Sequence, residues 1–501
     1  MVNLGIVRLG ILLLVTLVCG CGYVMFSALL GSSHFDSYLH CRDRRCFPLY
    51  YKSALRLPFH SSSSFSSSHS SLSSLVFTPL QRPLEDDAGS PASTSLANIV
   101  FGIAASARLW DKRKEYVSLW WRADAMRGFV WLDQPVGNWS DSFPAFKISA
   151  NTSHFRYTNR RGRRSALRIS RVVSETFRMG LSNVHWFVMG DDDTFFATEN
   201  LIKVLSKYDH RQFYYIGANS ESHFQNLNFS YNMAYGGGGF ALSYPLAEAL
   251  EKMQDDCLHR NPSLYGSDDR MHACMAELGV PLTKEPGFHQ FDICGDASGL
   301  LAAHPVTPLI SLHHLDAIYP VFPNMSRVQA LEHLNKAIQV DHGGIFQQSI
   351  CYDKLKKLSF SVSWGYVVQV ARGIVLPQEF EVPTRTFTSW HRKNDEVSYA
   401  FNTRSAAKDS CKQPVLFYMQ DVFSGADGLS TSNYTKEVRK RANCQWTMPS
   451  PDALHWIHVV KAKARNTWYK APRRQCCNIV DSEHHYAHIE IGSCREGEII
   501  A

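Results

Sequence analysis

The run Val184-His185-Trp186-Phe187-Val188-Met189-Gly190 leads straight into Asp191-Asp192-Asp193 and then Thr194-Phe195-Phe196. A mostly apolar run this short is too brief for a buried helix and has the length of a buried strand. Parallel strands covered on both faces read this way, and their C-terminal ends open into the crevice where α/β folds bind ligands. Three carboxylates at that point repel one another unless something positive joins them. A hard divalent cation such as Mg²⁺ or Mn²⁺ takes oxygen ligands and usually shares its shell with a diphosphate. The stretch therefore reads as a metal-plus-nucleotide site at a strand end. The rival reading is a solvated acidic turn whose Asp caps the next helix. The strand before it and the aromatic pair after it count against that rival.

The surrounding chain alternates strands and helices. Asn98–Ala105 reads as a first buried strand, Lys112–Arg122 as a helix, and Gly128–Leu132 as a second strand. A helical stripe from Leu167 to Phe177 ends at Gly180, Leu201–Leu205 marks another helix, and Gln212–Gly217 the next strand. This alternation predicts an α/β fold with a mainly parallel central sheet covered on both faces.

Three later stretches carry chemistry. Gly236-Gly237-Gly238-Gly239-Phe240 lets the backbone approach a ligand closely, and Pro245 just after it suits a helix start; the alternative is a plain flexible loop. Asp268-Asp269 opens a helix, where a carboxylate is either a cap or a general base for a sugar hydroxyl. His289, in Pro286-Gly287-Phe288-His289, offers an imidazole to complete the metal shell, although a lone His is usually structural. His304, His313 and His314 rank behind it as candidates.

The N-terminus sets the compartment. Residues 9–30 contain no Asp, Glu, Lys or Arg and are long enough to span a bilayer, and Arg8 in the eight residues before them favours a cytosolic start. We expect a type II membrane anchor rather than a cleaved signal peptide, whose apolar core would be shorter. The sequence after it would lie in a lumen. Eleven further cysteines without a Cys-x-x-Cys pair then read as disulfides plus at least one free or intermolecular thiol. Asn-x-Ser/Thr triplets at Asn138, Asn151, Asn228, Asn324 and Asn433 agree with secretory exposure. The serine run from Ser61 to Ser74 cannot bury enough apolar surface to order itself and reads as a tether. A net charge of +7 over 501 residues is too modest to imply nucleic-acid binding. From about Cys351 the texture turns to period-two alternation, as in Phe360–Val370, which predicts a smaller β-rich, disulfide-linked region. The expected layout is a tail over 1–8, an anchor over 9–30, a stem over 31–95, a nucleotide-binding domain over 96–330 and a β-rich Cys-containing region over 331–501.

These residues resemble the fringe glycosyltransferases, of the family 31 type. Trp186-Phe187-Val188-Met189-Gly190-Asp191-Asp192-Asp193 looks like their strand and metal motif, and Gly236–Phe240 like their Gly-Gly-Ala-Gly-Phe turn. Asp268-Asp269 matches their acidic pair, and Gly279-Val280-Pro281-Leu282 with Phe288-His289 matches their last motif. Order and spacing agree over residues 96–320, and the long extension after 330 resembles the plant fringe-related family. The sequence departs at Gly238, where fringe has Ala, and at Met189-Gly190, which replaces a His-Val pair.

The resemblance implies a GT-A fold and an inverting, Mn²⁺-dependent transfer from a UDP-sugar to a glycan or glycoprotein hydroxyl, typically forming a β1,3 bond. It implies Asp193 as the main metal ligand, Asp191 and Asp192 at the metal and ribose, and His289 as the other protein ligand. Asp269 would be the base, with Asp268 its rival, and Gly237, Gly238, Gly239 and Phe240 would line the donor and acceptor site. A Golgi type II enzyme is the resulting expectation. The alternative is a non-catalytic glycan-binding or scaffold protein on the same fold.

Overall fold

The computed structural model describes residues 93–499, apart from 394, 426–427, 440–443, 445–448 and 483–484. The expected tail, anchor and stem lie outside these residues, except for the last three positions of the stem. Among the described residues no helix is long and apolar enough to cross a membrane.

The first part contains β1 (Ile99–Ala104), β2 (Arg127–Leu132), β3 (Ala145–Ile148), β4 (Trp186–Asp191), β5 (Phe195–Phe196) and β6 (Tyr215–Gly217). It continues with β7 (Phe240–Ser243), β8 (Leu282–Lys284), β9 (Phe288–His289), β10 (Ile293–Gly295) and β11 (Ser311–Leu312). A seven-stranded sheet has the order β3-β2-β1-β4-β7-β6-β8. It is mainly parallel, with β7 antiparallel to both β4 and β6.

The continuous apolar runs of β1 and β4 have a direct cause. Ile99, Phe101 and Ile103 enter one hydrophobic core, and Val100 and Ala104 enter another on the opposite face. Trp186 and Val188 divide from Phe187 and Met189 in the same way. Successive strand residues point to opposite faces, so a strand covered on both sides needs apolar residues at every position.

The helices differ from the sequence reading mainly at their ends. The helix after β1 runs Ala107–Ser118, earlier than expected. The stripe toward Gly180 forms two helices, Ser165–Ser170 and Val172–Phe177. They break at Arg171, whose buried guanidinium reaches out to Asp255 at 2.9 Å.

The second part contains β12 (Gln348–Asp353), β13 (Leu358–Ser363), β14 (Val367–Arg372), β15 (Thr384–Arg385), β16 (Phe387–Ser389) and β17 (Arg404–Ser405). It ends with β18 (Val415–Ser424), β19 (Leu429–Lys436), β20 (Trp456–Ala462), β21 (Cys476–Ser482) and β22 (Tyr486–Gly492). An eight-stranded sheet runs β12-β13-β14-β18-β19-β20-β22-β21. β13 is buried at every position, so that end of the sheet is covered on both faces, whereas β20 alternates, with Ile457, Val459 and Lys461 inward against Trp456 and His458 outward, so one face alone is covered there. The covered face joins the same core as Ile99 and Trp186.

Helix Arg327–Val340 joins the two parts without a break at residue 330 and starts with a capping box between Ser326 and Gln329. Disulfides link Cys351–Cys477, Cys411–Cys444 and Cys476–Cys494 in the β-rich region, and Cys257–Cys274 joins two helices of the first part. Cys294 is the free thiol among the described residues. Asn138, Asn151, Asn228 and Asn324 are exposed, whereas Asn433 sits within β19.

Candidate active site

β4 delivers Asp191 to the end of the sheet, and the chain turns at once. The amide of Asp191 donates to Thr194 Oγ1 at 2.8 Å, and that hydroxyl donates to the carbonyl of Gly237 at 2.7 Å. One threonine thus ties the acid cluster to the glycine turn. Asp192 and Asp193 are buried, and the Asp191 side chain is 35% exposed, the most open of the three.

Two basic side chains meet the cluster. Arg113, from helix Ala107–Ser118, reaches Asp192 at 2.9 Å and Asp193 at 3.1 Å, and also Asp316 at 3.1 Å. Tyr116, one turn on, donates to Asp316 at 2.9 Å. His313, just past β11, brings Nε2 within 3.2 Å of Asp193 Oδ1 and 3.7 Å of Asp191 Oδ2. Burial alone would lower the His313 pKa, but Asp193 and Asp191 push it up to about 9. Burial works the other way on Asp193, yet His313 and Arg113 hold its carboxyl well below the usual range. Asp191 moves up, through desolvation first and then Asp193, Asp192 and Asp268, against the pull of His313.

The cluster suits a divalent cation. Asp193 Oδ1 is a buried oxygen without a hydrogen-bond partner, because its approach to His313 lacks hydrogen-bond geometry. One ligand atom each from Asp191, Asp193 and His313 lies within 4.8 Å of the others. Two carboxylate oxygens and one imidazole nitrogen fit an ion of the Mn²⁺ type, which accepts both donors.

The histidine expected here was His289, and the structure corrects that assignment. Its ring is buried and turned to Glu221 at 3.1 Å and His304 at 2.9 Å. These three line a cavity of about 520 Å³ that none of the three aspartates borders. His314 lies 3.1 Å from buried Asp292 and stacks on Trp390.

The glycine turn is held rigidly. The Gly238 amide donates to Gln290 Oε1 at 2.6 Å, and the Ser311 hydroxyl donates to the Gly238 carbonyl. A Cβ at Gly237 would collide with the His313 ring, so only glycine allows this histidine to approach the acids. Gly239 sits at φ +88°, where other residues are strained. Phe240 does not line the site: it is buried edge-on against Tyr215, ring centroids 5.8 Å apart, in the core beneath the turn.

The acidic pair separates into two roles. Asp269 is used by its own turn, accepting from the amides of Tyr265 at 2.7 Å and Gly266 at 2.9 Å. Asp268 faces the glycine turn, where its Oδ1 would lie 2.8 Å from a Cβ on Gly236. Burial pushes Asp268 up to about 6, against hydrogen bonds from Ser267 and the Gly236 amide. The contacts run from Asp268 to Gly236 and Gly237, then His313 and Asp193. Arg113, Tyr116 and Asp316 had no signal in the sequence reading. The one clue for Arg113 was that its helix follows a strand that would pair with β4.

The family described as "Fringe-like" matches residues 94–298, and the family described as "Protein of unknown function, DUF604" matches residues 225–477, half of the chain. No protein of curated function matches the sequence. Among solved structures, the chain is similar to a galactosyltransferase in complex with donor and acceptor sugar analogues. That match has 12% identity, 47% of this chain, 94% of the other and a TM-score of 0.29. It is also similar to a glycosyltransferase involved in glycosylation of the major capsid of a virus, PBCV-1, with 14% identity, 47% of this chain, 97% of the other and a TM-score of 0.25.

Proposed function

The chain belongs to the DUF604 family and is a fringe-like glycosyltransferase, and from that premise we propose a metal-dependent, inverting transfer from a UDP-sugar to a glycan hydroxyl. The observation that carries the reading is the convergence of Asp191, Asp193 and His313 beside the glycine turn that Asp268 faces. Asp191, Asp193 and His313 would hold the cation, and when bound it would offset charge building on the diphosphate leaving group. Arg113 fixes Asp192 and Asp193 in place. Asp268 accepts the proton of the attacking hydroxyl as its oxygen bonds to the anomeric carbon. The bond to the diphosphate breaks on the opposite face and the diphosphate keeps the electron pair, so configuration inverts. One carboxylate suffices, unlike the pair used in glycoside hydrolysis.

A β1,3 linkage and a Golgi, type II setting belong to the same proposal, as does the division into a transferase part and a β-rich extension near residue 330. The apolar stretch over 9–30 and the four disulfides support the setting. The test is calorimetric titration of the full-length protein with UDP and a panel of UDP-sugars, with and without Mn²⁺. Mn²⁺-dependent binding with one sugar preferred is the expected result. Folded protein that binds no nucleotide in Mn²⁺ would overturn the reading in favour of a scaffold on this fold.

A further inference from the structure

The face of the eight-stranded sheet that is left exposed along β19 and β20 carries a second arrangement, remote in sequence from the acid cluster. Strand register places Asp421, Asn433, His458, His488 and Asp481 in one row across β18, β19, β20, β22 and β21. The row is wired together. Asn433 Nδ2 donates to Asp421 at 2.6 Å, so its Oδ1 is the atom that meets His458 Nδ1 at 2.7 Å. His458 therefore carries its proton on Nδ1 and leaves Nε2 as an acceptor. Its ring lies 5.1 Å from that of His488, whose Nδ1 meets Tyr486 OH at 3.2 Å. Burial, then His488, lowers the His458 pKa, against the pull of Asp421.

Aromatic groups flank this row on both sides. Trp456 and Tyr486 are paired in register, with ring centroids 6.1 Å apart, and Trp456 is 54% exposed. On the other side Phe423, opposite Thr431, is 58% exposed. Thr431 and Thr435, which mark these two edges on β19, are four residues apart, about 13 Å at strand rise. A lone exposed aromatic is ordinary. Aromatic surface on both sides of a row of hydrogen-bonding side chains, with a carboxylate at either end, is a different case. It matches a sugar chain, whose C–H faces pack on rings and whose hydroxyls pair with Asn, His and Asp.

We propose that this face, from Phe423 across Asn433 and His458 to Trp456, binds a neutral oligosaccharide. It goes beyond the transferase reading and does not depend on it. It also gives Asn433, an Asn-Tyr-Thr triplet, a different role: its amide is committed to Asp421 and His458 rather than to glycan attachment.

The experiment uses full-length protein with tetra- to hexasaccharides of β1,4-linked glucose, β1,4-linked xylose and β1,3-linked galactose. Binding is read by saturation-transfer NMR and calorimetry. At least one should bind, and Trp456→Ala should weaken it by about tenfold at unchanged melting temperature. Phe423→Ala should weaken it as well, while Asp193→Ala should bind as the parent does, which separates this inference from a failure of the transferase reading. Three results would overturn it. The first is no binding by any of the oligosaccharides, or binding unchanged in both aromatic variants. The second is a change from dimer to monomer in Trp456→Ala, which would make the face a contact between copies. The third is a glycan on the Asn433 tryptic peptide, which would mean that the protein's own sugar fills the face.

Discussion

The indole of Trp390 stacks on the imidazole of His314, with ring centroids 4.2 Å apart and planes 12° from parallel. Trp390 comes from the segment after β16, which pairs with β10, and its amide donates to the Asp292 carbonyl at 2.9 Å. His314 takes a left-handed backbone, φ 49°, and its ring also touches that of His313. The β-rich part of the chain thus braces the residue beside the candidate metal ligand. Trp390→Ala should weaken Mn²⁺ binding by roughly tenfold, the low end for outer-shell partners, with a smaller effect on turnover at saturating metal. Metal titration by calorimetry, with and without UDP, measures it. Unchanged affinity would remove Trp390 as a positioning residue.

His313→Ala and His289→Ala should separate cleanly. The first removes a ligand atom from the cluster and should reduce Mn²⁺-dependent UDP binding by at least about tenfold. The second disrupts a buried network with Glu221 and His304, so it should lower the melting temperature and leave metal affinity near the parent value.

The two aspartates of the acidic pair should also part company. Asp268 must be ionised to accept a proton, so kcat/KM should rise as pH passes through about 6, and Asp268→Asn should abolish turnover. The sign for stability is opposite. Its folded pKa is raised above 3.8, so the folded state favours the neutral form. The cost of ionisation begins above pH 3.8 and is complete above about 6. Asp268→Asn should therefore be more stable than the parent at pH 7.5 and equal to it at pH 3. Asp269→Asn instead weakens two amide bonds at a helix start and should cost about 1 kcal/mol at neutral pH. Melting curves and pH–rate profiles check both.

Lys461 on β20 pairs with Asp341 at 2.5 Å, and their side chains are only 1% and 4% exposed. Asp341 ends helix Arg327–Val340, so this pair joins the helix to the eight-stranded sheet. Removing one partner strands a buried charge. Lys461→Met or Asp341→Ala should each cost about 3–5 kcal/mol, whereas the double change to apolar residues should recover much of the loss. A double-mutant cycle by chemical denaturation gives the coupling.

Local pattern determined much of this molecule. The apolar run of β4, with no polar residue to face solvent, required a strand covered on both sides, and the acids after it had to lie at the sheet's end. The glycine turn, the helix opening at Asp268 and the alternating β-rich region were legible for the same reason, since each is written within ten residues or so. Tertiary structure decided which side chains meet. His289 and His313 each lie at or just past a two-residue strand, and nothing local distinguishes them. β11 lies between β5 and β9, with Leu312 opposite both Phe195 and His289. The residue after Leu312 therefore reaches Asp193, while His289 lies one strand farther away. Arg113 follows the same logic. Ala104 pairs with Asp191, which puts the start of the next helix beside the acids. Helical periodicity cannot show this, because strand order is set by long-range pairing and not by any property of the paired segments alone.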